Sequence, residues 1–511
     1  MDGAARHHFK RGFFWLGSAN LVTRLMDVAS ILVVLWFLTK AQMGLATLAW
    51  SVAVILEAFN GLGIGTAIVQ TEEVTEDQLS SAWWFVMALA GLLTAGIAAL
   101  SGVVAWIYNA PSLRWMVMVS GIKLLFVGAA LIPLHLLNRK LRFKEIGAVQ
   151  TSATLLASLT KIGLAAAGFG AWALVLGNVA HGLFTALGAY LVEPFLPRLH
   201  FAYREIKSLV SFGFKVALSG IVYHFYRNAD YLIVGRFLGN EALGVYRVAF
   251  DVAMTPAMTL QKVVSRTALP VYSRLAREPE KMAESFLWVH ETLAFLVAPV
   301  VVFLSFASPD LFPLIGKAQW VGAAPAAVVL AWAALLRVLA QAFPDIYHAS
   351  GRPGYAVANS LMSLALLVTT FSLAIGLFSD RYGIMAVAYA WLLIYPLLLS
   401  ILWVMARRLV PLRVTSHLRA FVHPMLSTIV SLLSCFLLDA SLPAGWGGRL
   451  SRVGLYAAIV LVVSLGYPRL VLGLSLRRML HPGSDPKGNV GEEDTGDSDE
   501  TAVSIEDDFL D

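Results

Sequence analysis

Long apolar runs separated by short polar segments dominate the chain from about residue 12 to residue 472. An apolar helix of about 20 residues crosses a hydrocarbon core of about 30 Å. By that criterion the sequence predicts about fourteen membrane-spanning helices. The predicted spans are 12–38, 43–69, 82–107, 114–137, 146–168, 170–192, 209–234, 242–265, 286–307, 321–345, 356–378, 383–405, 420–439 and 451–472.

The composition is that of a membrane protein. Hydrophobic residues make up 58% of the 511 residues and charged residues only 14%, against about 45–50% and about 25% in soluble domains. The first apolar run follows Arg6, Lys10 and Arg11. It is too long for the core of a signal peptide, and no small-residue cleavage site follows it. We therefore predict an all-α integral membrane protein whose first span is retained.

The distribution of basic residues between alternate loops predicts the orientation. If the amino terminus is cytoplasmic, the cytoplasmic segments hold 24 Lys or Arg and the outer loops hold seven. Loops rich in Lys and Arg stay on the cytoplasmic side of the membrane. One missed span would place every later loop on the opposite side of the membrane and remove the asymmetry. The asymmetry therefore also supports an even number of helices. Both termini are predicted to be cytoplasmic.

The formal net charge of +6 combines a basic body with an acidic tail. From Ser484 onward there are eleven acidic residues and one base, Lys487. Because residues 481–511 contain few apolar side chains, we predict that they form a disordered cytoplasmic tail. An acidic docking arm for a cytoplasmic partner is the alternative interpretation.

An internal repeat divides the predicted bundle. When the chain is shifted by 200 residues, 22–53 aligns with 222–253 without gaps, and ten of the 32 positions are identical, including Gly44 and Gly244. Six predicted spans separate the copies, so both halves start on the same face of the membrane. Secondary transporters with parallel repeats have halves related by an axis along the membrane normal and bind substrate between them. We predict a lobe of spans 1–6 (1–195), a lobe of spans 7–12 (196–410) and two additional spans (411–480).

Ionisable side chains lie inside several predicted spans, where they usually mark a partner, a water-filled cavity or a substrate. Three pairs of opposite charge are three or four residues apart: Arg24/Asp27, Arg227/Asp230 and Arg247/Asp251. Residues at this spacing share a helix face, so an internal ion pair is the structural interpretation of each. The last pair lies closest to the outer interface, where solvation is a further explanation.

Lys123 and Lys161 have no acidic residue within one helical turn, so another helix or an anionic ligand must compensate their charge. The excess of cations in the first half suggests a cavity for a bulky anion such as a phosphate ester. The candidate substrate-binding residues are Arg24, Lys123, Lys161 and Arg227. The candidate ion-coupling residues are Asp27, Glu57 and Asp230.

Motifs for catalysis are absent from the sequence. The glycines at 61, 63 and 65 are not a dinucleotide fingerprint, because they end an apolar span and no strand precedes them; close helix packing explains them better. With one cysteine, Cys435, neither an intrachain disulfide nor a cysteine metal cluster is possible. We predict no catalytic residues, no metal and no cofactor.

Two alternatives to a transporter of bulky anions remain open. A drug or cation antiporter should favour acidic rather than cationic residues in its cavity. A membrane-embedded glycan polymerase or ligase should carry a large outer loop, and none of the predicted outer loops exceeds about 15 residues.

Several motifs occur in succession between about residues 10 and 410. They are FLTKAQMG at 37–44, NGLGIG at 60–65, NRKLRFK at 138–144, GFGAWALV at 168–175, IVGRFLG at 233–239, LPVYSRL at 269–275 and GKAQW at 316–320. This succession resembles the polysaccharide transporter family, the Wzx-type flippases of lipid-linked oligosaccharides. That family belongs to the multidrug/oligosaccharidyl-lipid/polysaccharide exporter superfamily.

The resemblance implies two six-helix lobes around a central cavity, in the inner membrane of a bacterium. It implies a flippase that moves undecaprenyl-pyrophosphate-linked repeat units to the outer leaflet for capsule, O-antigen or exopolysaccharide assembly. The flippase would work by alternating access, driven by an ion gradient or the membrane potential. The implied partners are the lipid-linked substrate, membrane lipids and polymerase or export machinery, without nucleic acid. Lipid II flippases of the superfamily use a first-helix arginine in the cavity, and Arg24 is similarly placed.

Overall fold

The structure is a computed structural model that describes residues 19, 22–57, 59–71, 73–441 and 448–466. Its secondary structure within these residues is helical, which confirms the all-α prediction. The first half contains α1 (22–34), α2 (Lys40–Glu57), α3 (Ile64–Gln70), α4 (Glu76–Ile107), α5 (Pro111–Arg139), α6 (Phe143–Ala166) and α7 (Ala171–Val192).

The second half begins with a helix much longer than any in the first. Its elements are α8 (Tyr203–Arg274), α9 (Pro279–Gly316), a 3-10 helix (Ala318–Ala323), α10 (Ala324–Ala340), α11 (Phe343–Ala349), α12 (Pro353–Tyr382), α13 (Ile384–Ala406), α14 (Val414–Ser441) and α15 (Arg449–Gly466). The predicted tail, 481–511, and residues 12–18 of the first predicted span lie outside the described residues.

Local sequence explains where several helices begin. The Thr75 hydroxyl accepts a hydrogen bond from the Gln78 backbone N–H, and the Gln78 side chain accepts one from the Thr75 N–H, which together form a capping box for α4. Proline occupies the first turn of α5, α9 and α12 at Pro111, Pro279 and Pro353. Its fixed φ suits a helix start, and the N–H that it lacks would have no partner there.

Eight helical segments of the described chain are long and apolar enough to cross a membrane, so the protein is a multi-pass membrane protein. They are Glu76–Ile107, Pro111–Arg139, Ala171–Val192, Pro279–Gly316, Ala318–Ala349, Gly354–Tyr382, Ile384–Ala406 and Val414–Ala440. The remaining predicted spans fall on α1, α2 with α3, α6, α8 and α15. The count of fourteen stays a prediction.

The second predicted span is interrupted. α2 ends at Glu57 and α3 begins at Ile64, because Gly61 and Gly63 take positive φ angles of 82° and 71° that a right-handed helix cannot contain. Gly65 also fits the predicted close packing, since a Cβ at this position would overlap the His135 ring. The glycine-rich stretch therefore serves both as a helix break and as a packing surface.

Spans seven and eight join end to end within α8. Gly239 has φ 81° and ψ 176°, so the two helical parts meet at a single non-helical residue rather than at a loop. Only glycine adopts this combination readily. The predicted boundary between 234 and 242 is therefore correct in position, but the expected loop is replaced by a kink.

α2 crosses the second part of α8 at a reciprocal glycine contact. A Cβ on Gly44 would overlap the carbonyl oxygen of Asn240, and a Cβ on Gly244 would overlap the carbonyl oxygen of Lys40. Both pairs are related by the 200-residue shift of the repeat, because 44 corresponds to 244 and 40 to 240. A two-fold axis passing between the two helices produces this pattern of exchanged contacts.

The last two described helices pack on α9. The Arg452 guanidinium of α15 lies 2.5 Å from the Asp310 carboxylate of α9, and the Tyr456 hydroxyl donates to Asp439 of α14 at 2.7 Å. Cys435 is buried among apolar side chains at this junction. α14 and α15 are thereby attached to the second half of the protein.

Candidate functional site

A cavity of about 420 Å³ lies between the two copies of the repeat. The first copy contributes α1 and Trp50 of α2, and the second contributes α8, with α9 and α10 closing the cavity. Most of the wall is apolar. The charged or amide side chains in the wall are Arg24, Asp27, Arg227, Asn228, Arg247, Asp251, Lys262 and Arg337.

Three of these cations lie close enough to interact: Arg24 on α1 and Arg227 and Lys262 on different parts of α8. Lys262 interacts electrostatically with both Arg24 and Arg227, and we call these three residues the cation cluster. Arg24 and Lys262 are exposed, whereas Arg227 is half-buried. Within the part of the chain that the structure describes, none of the three forms an ion pair with a carboxylate. The cluster therefore presents positive charge to the cavity.

Arg24 and Asp27 do not form the ion pair that their spacing predicts. The Asp27 carboxylate lies 3.6 Å from the ammonium group of Lys161 on α6. Lys161 is buried, with 7% of its surface exposed. A buried ammonium group requires a nearby counter-charge, so Asp27 compensates Lys161 and leaves Arg24 to the cation cluster.

Lys123 is compensated in the same way by a different helix. Its ammonium group donates to the Glu57 carboxylate at 2.8 Å. Glu57 is the last residue of α2, immediately before the helix break, and the side chain of Asn60 within the break donates to the Leu124 carbonyl at 2.9 Å. Neither Lys123 nor Lys161 lines the central cavity.

The two lysine pairs belong to one charge network in the amino-terminal half. His181 of α7 interacts electrostatically with both lysines and with Asp27 and Glu57. Its Nε2 atom lies 3.4 Å from the Thr154 hydroxyl. We call Asp27, Glu57, Lys123, Lys161 and His181 the amino-terminal network.

Small residues on α7 make room for the lysine side chains. A Cβ at Gly177 would overlap the Lys161 stem, and a Cβ at Gly182 would lie 3.0 Å from Cγ of Lys123. The aliphatic part of each lysine therefore packs against the α7 backbone while the ammonium group reaches its carboxylate. Helix α7 thereby fixes the position of both ion pairs.

Asp230 is not paired with Arg227. Its side chain is completely buried and accepts a hydrogen bond of 2.8 Å from the Tyr246 hydroxyl, which itself accepts one of 2.7 Å from the Trp391 indole N–H. The predicted pairing of residues 227 and 230 is therefore wrong, because Asp230 faces the interior of the carboxy-terminal half and Arg227 faces the cavity.

The third predicted pair is confirmed. The Arg247 Nε–H donates to Asp251 at 2.7 Å, and the guanidinium lies over the rings of Trp50 and Tyr231 at 4.7 and 4.8 Å. Both charged residues line the cavity. The pair is thus part of the cavity wall rather than of a solvated outer interface.

Three cavity cations were not among the predicted site residues: Arg247, Lys262 and Arg337. Lys262 lies near the end of the predicted span 242–265 and was counted with the cytoplasmic basic residues, but α8 continues as a helix to Arg274, and Lys262 lies in the cavity wall. Arg337 of α10 is 1% exposed and lies over the Trp391 ring at 4.8 Å and the Tyr226 ring at 5.7 Å. A lone arginine inside an apolar span was the available signal for Arg337.

The chain is similar in sequence to known polysaccharide biosynthesis proteins. A family model described as "Polysaccharide biosynthesis protein" matches residues 33–325. The chain is 26% identical over 313 residues to the teichuronic acid biosynthesis protein TuaB of Bacillus subtilis (strain 168), covering 58% of this chain and 62% of TuaB. It is 23% identical over 349 residues to the lipopolysaccharide biosynthesis protein WzxC of Escherichia coli (strain K12), covering 67% of this chain and 70% of WzxC. The chain therefore aligns with less than two thirds of TuaB.

Two solved structures share the fold. The lipid II flippase MurJ in an inward closed conformation superposes with a TM-score of 0.72 and 13% identity, over 89% of this chain and 99% of MurJ. An inward-facing multidrug resistance MATE family transporter of the MOP superfamily gives a TM-score of 0.59 and 13% identity, over 76% of this chain and 95% of that transporter.

The family match covers more than half of the chain, and the fold is similar to those of MurJ and the MATE family transporter. On these grounds the chain is a member of the polysaccharide biosynthesis protein family, with the membrane architecture that MurJ and the MATE transporters share.

Proposed function

We propose that this protein is a flippase that translocates undecaprenyl-pyrophosphate-linked oligosaccharide repeat units across the inner membrane of a bacterium. The repeat units serve the assembly of a surface polysaccharide such as a capsule, an O-antigen or an exopolysaccharide. The names of the relatives support this proposal, since TuaB is a teichuronic acid biosynthesis protein, WzxC is a lipopolysaccharide biosynthesis protein and MurJ is a lipid II flippase.

The cation cluster is the observation that carries the proposal. Arg24 comes from α1, whereas Arg227 and Lys262 come from α8, so the two halves of the repeat jointly hold positive charge. Arginine and lysine bind phosphate oxygens through charge-assisted hydrogen bonds. A pyrophosphate carries several such oxygens, and the apolar remainder of the wall suits a polyprenyl chain near the phosphates.

The reciprocal glycine contact supports alternating access between two lobes. Gly44 and Gly244 bring the α2 and α8 backbones together at the pseudo-two-fold axis. Rocking of one lobe on the other about such an axis exposes a site between them to each side in turn. We propose the lobe boundaries 1–195 and 196–410, with 411–480 as an attached pair of spans.

The amino-terminal network has a different part in this proposal. Lys123 and Lys161 are engaged by Glu57 and Asp27, so the pyrophosphate is assigned to the cation cluster instead. Asp27 also lines the cavity and therefore joins the network to the substrate site. We propose that Asp27 and Glu57 couple an ion gradient or the membrane potential to substrate movement, whereas Asp230 holds the carboxy-terminal half together.

The alternatives predict other arrangements. An antiporter of drugs or cations should present carboxylates to its cavity, but one of the two cavity carboxylates pairs with Arg247 and the other with Lys161. A glycan polymerase or ligase should carry a large outer loop. The connections between described helices are short, and the longest joins Val192 to Tyr203. We therefore propose that the protein has no catalytic residues, that both termini are cytoplasmic and that polymerase or export machinery receives the product.

Complementation of a deletion strain tests the proposal. Arg24→Gln, Arg227→Gln and Lys262→Gln should each reduce surface polysaccharide about tenfold at unchanged protein abundance, because each removes a charged hydrogen bond worth about 1.5–3 kcal/mol. Arg274→Gln is the matched control, since this exposed arginine of α8 lies outside the cavity wall and is not among the charges that act on Lys262. Full export by an abundant triple variant would exclude the cluster as the substrate site.

A further inference from the structure

A second cavity, of about 690 Å³, lies on the side of the carboxy-terminal half. It is enclosed by α9, α10, α13 and α14 and shares no lining residue with the central cavity. Its outer edge is formed by exposed apolar side chains that face outward from the bundle: Val404, Leu418, Met425 and Ile429. We call this space the lateral pocket, and it opens towards the surrounding lipid.

The lateral pocket is long, its wall is almost entirely apolar, and it runs parallel to the helices. Along α14 it extends from His417 to Leu432, which corresponds to about 22 Å at a rise of 1.5 Å per residue. That length exceeds half of a hydrocarbon core of about 30 Å. Apart from Ser400, Thr428 and the two histidines, its wall is apolar. An extended alkyl chain lying parallel to the helices matches this shape and chemistry.

The end of the pocket nearest the α13–α14 connection is polar. His290 and His417 face each other there, with ring centroids 5.4 Å apart. His290 is completely buried, and its Nδ1 lies 3.2 Å from the Phe286 carbonyl oxygen. The ring also interacts with the Leu339 backbone carbonyl, and Nε2 forms no hydrogen bond to a described residue. A hydroxyl group both donates and accepts, so it can pair with Nε2 in either tautomer. A buried ring nitrogen without a hydrogen bond in a ligand-sized cavity indicates a ligand that supplies a hydroxyl group.

Positive charge surrounds the same end. The segment 407–419 contains four arginines and no acidic residue, and all four are exposed: Arg407, Arg408, Arg413 and Arg419. The Arg407 guanidinium lies over the ring of Trp403, which lines the pocket, at 5.2 Å. None of the four forms an ion pair within the described residues. The basic loops predict this end to be cytoplasmic, where anionic lipids attract such clusters.

We propose that the lateral pocket is a binding site for an anionic glycerophospholipid. One acyl chain lies in the slot between α14 and α9, the phosphate lies among the arginines, and a headgroup hydroxyl forms a hydrogen bond with His290 Nε2. A neutral lipid would satisfy the apolar slot but not the arginines, and a lipid without a headgroup hydroxyl would leave His290 unsatisfied. Phosphatidylglycerol has all three features. The bound lipid joins α14 to α9, α10 and α13 and stabilises the packing of α14 on the bundle.

Native mass spectrometry of the purified full-length protein tests this site. Delipidated protein is titrated with phosphatidylglycerol or with phosphatidylcholine of the same acyl chains. Each arginine should contribute about a fivefold increase in affinity for an anionic headgroup. We therefore expect tighter binding of phosphatidylglycerol, and we expect Arg407→Gln/Arg413→Gln to reduce that preference by about 25-fold. Arg277→Gln, at another exposed arginine that does not line the pocket and lies outside segment 407–419, should leave the preference unchanged.

A pocket-filling pair of variants locates the acyl chain. Thr428→Phe fills the slot, whereas Thr160→Phe places the same group on α6 in the amino-terminal half. The two threonines are closely matched, since each hydroxyl donates to the carbonyl four residues earlier. Thr428→Phe should lower the bound phosphatidylglycerol and the gain in melting temperature that it confers, and Thr160→Phe should change neither.

Three results would overturn the proposal. Equal binding of phosphatidylglycerol and phosphatidylcholine would show that the site does not select an anionic headgroup. Equal binding to the Thr428→Phe and Thr160→Phe variants would place the lipid elsewhere. Displacement of phosphatidylglycerol from the Thr428-dependent site by undecaprenyl phosphate at lower concentration would identify a polyprenyl chain as the occupant instead.

Discussion

Neighbouring charges on α1 have different roles because their surroundings differ. Arg24 is exposed in the cavity, where water and a bound anion can satisfy it, whereas Lys161 is buried and requires a carboxylate. Asp27 lies one helical turn from Arg24 but is 3.6 Å from the Lys161 ammonium group. A buried cation without a counter-charge is far more costly than an exposed one. The carboxylate therefore pairs with the lysine of another helix.

This pairing predicts the result of a double-mutant cycle. Asp27→Asn should lower the free energy of unfolding by about 2 kcal/mol, because it leaves Lys161 unpaired while the partly exposed position of the carboxylate moderates the loss. Adding Lys161→Met should restore most of that loss. Adding Arg24→Gln should restore none of it. Thermal unfolding of the purified variants measures each term.

The same cycle distinguishes the structure from the sequence-based expectation. If Arg24 were the partner of Asp27, the recovery would appear in the Arg24/Asp27 double variant and not in the Asp27/Lys161 variant. Glu278→Gln is a suitable control, since Glu278 and Lys281 form an exposed pair at 2.6 Å whose loss should leave the melting temperature unchanged.

At the scale of helices, the crossing of α2 and α8 depends on two glycines. Gly44→Ala and Gly244→Ala each insert a methyl group where a backbone carbonyl of the other helix already lies. Each should cost about 1–3 kcal/mol of stability, because backbone atoms cannot move aside as a flexible side chain can. Because the contacts are reciprocal, the two losses should be similar in size. Melting temperatures of the purified variants provide the measurement.

Glycines elsewhere provide the control for that substitution. Gly96 and Gly102 lie within α4 and have open space where a Cβ would be. Alanine at these positions should be neutral or should stabilise the helix by up to about 1 kcal/mol. Equal melting temperatures for Gly44→Ala and Gly96→Ala would contradict a close α2–α8 crossing.

Hydrophobic pattern alone located most helices but not the way they connect. Apolar runs identified α4, α5, α7 and α13 to within a few residues, because length and hydropathy determine such spans. The pattern did not reveal the break between Glu57 and Ile64, since the φ angles of Gly61 and Gly63 are not encoded in hydropathy. It also ended the eighth span at residue 265, whereas α8 continues to Arg274.

The candidate site was less predictable than the helices. Charged residues inside spans could be recognised individually, including Arg24 and Arg227 in the cavity. Their partners could not, because Lys123–Glu57 and Lys161–Asp27 join helices distant in sequence. Spacing within one helix correctly predicted the ion pair of Arg247 and Asp251, because both side chains lie on the same face of α8.

At the scale of the whole molecule, the distribution of basic residues predicts which loops are accessible from outside the cell. In a background with Cys435 replaced by Ala, Ser112→Cys should react with a membrane-impermeant maleimide in intact cells. Lys144→Cys should react only after permeabilisation, because residue 144 lies in one of the basic segments predicted to be cytoplasmic. Both positions are exposed. The reverse labelling pattern would contradict the predicted orientation and indicate the opposite topology.

The proposed transport of a lipid-linked pyrophosphate also requires that the two halves act together. The cation cluster contains residues from both α1 and α8, and the α2–α8 crossing places the pseudo-two-fold axis between them. A substrate bound by both halves stabilises the arrangement in which its cations converge. In the proposed transport cycle, opening of the lobes towards either face would separate the cations and release the phosphate.

Translocation by the purified protein tests this function most directly. Proteoliposomes carry a fluorescent undecaprenyl-pyrophosphate oligosaccharide and, outside, an impermeant quencher of the sugar label. With an ion gradient or membrane potential applied, wild-type protein should move label between leaflets. At equal reconstitution the Arg24→Gln/Arg227→Gln/Lys262→Gln variant should be much slower, while Arg274→Gln retains wild-type rates. Leaflet exchange no faster than in protein-free liposomes under every gradient, or equal exchange by the triple variant, would contradict a flippase that holds its substrate at the cation cluster.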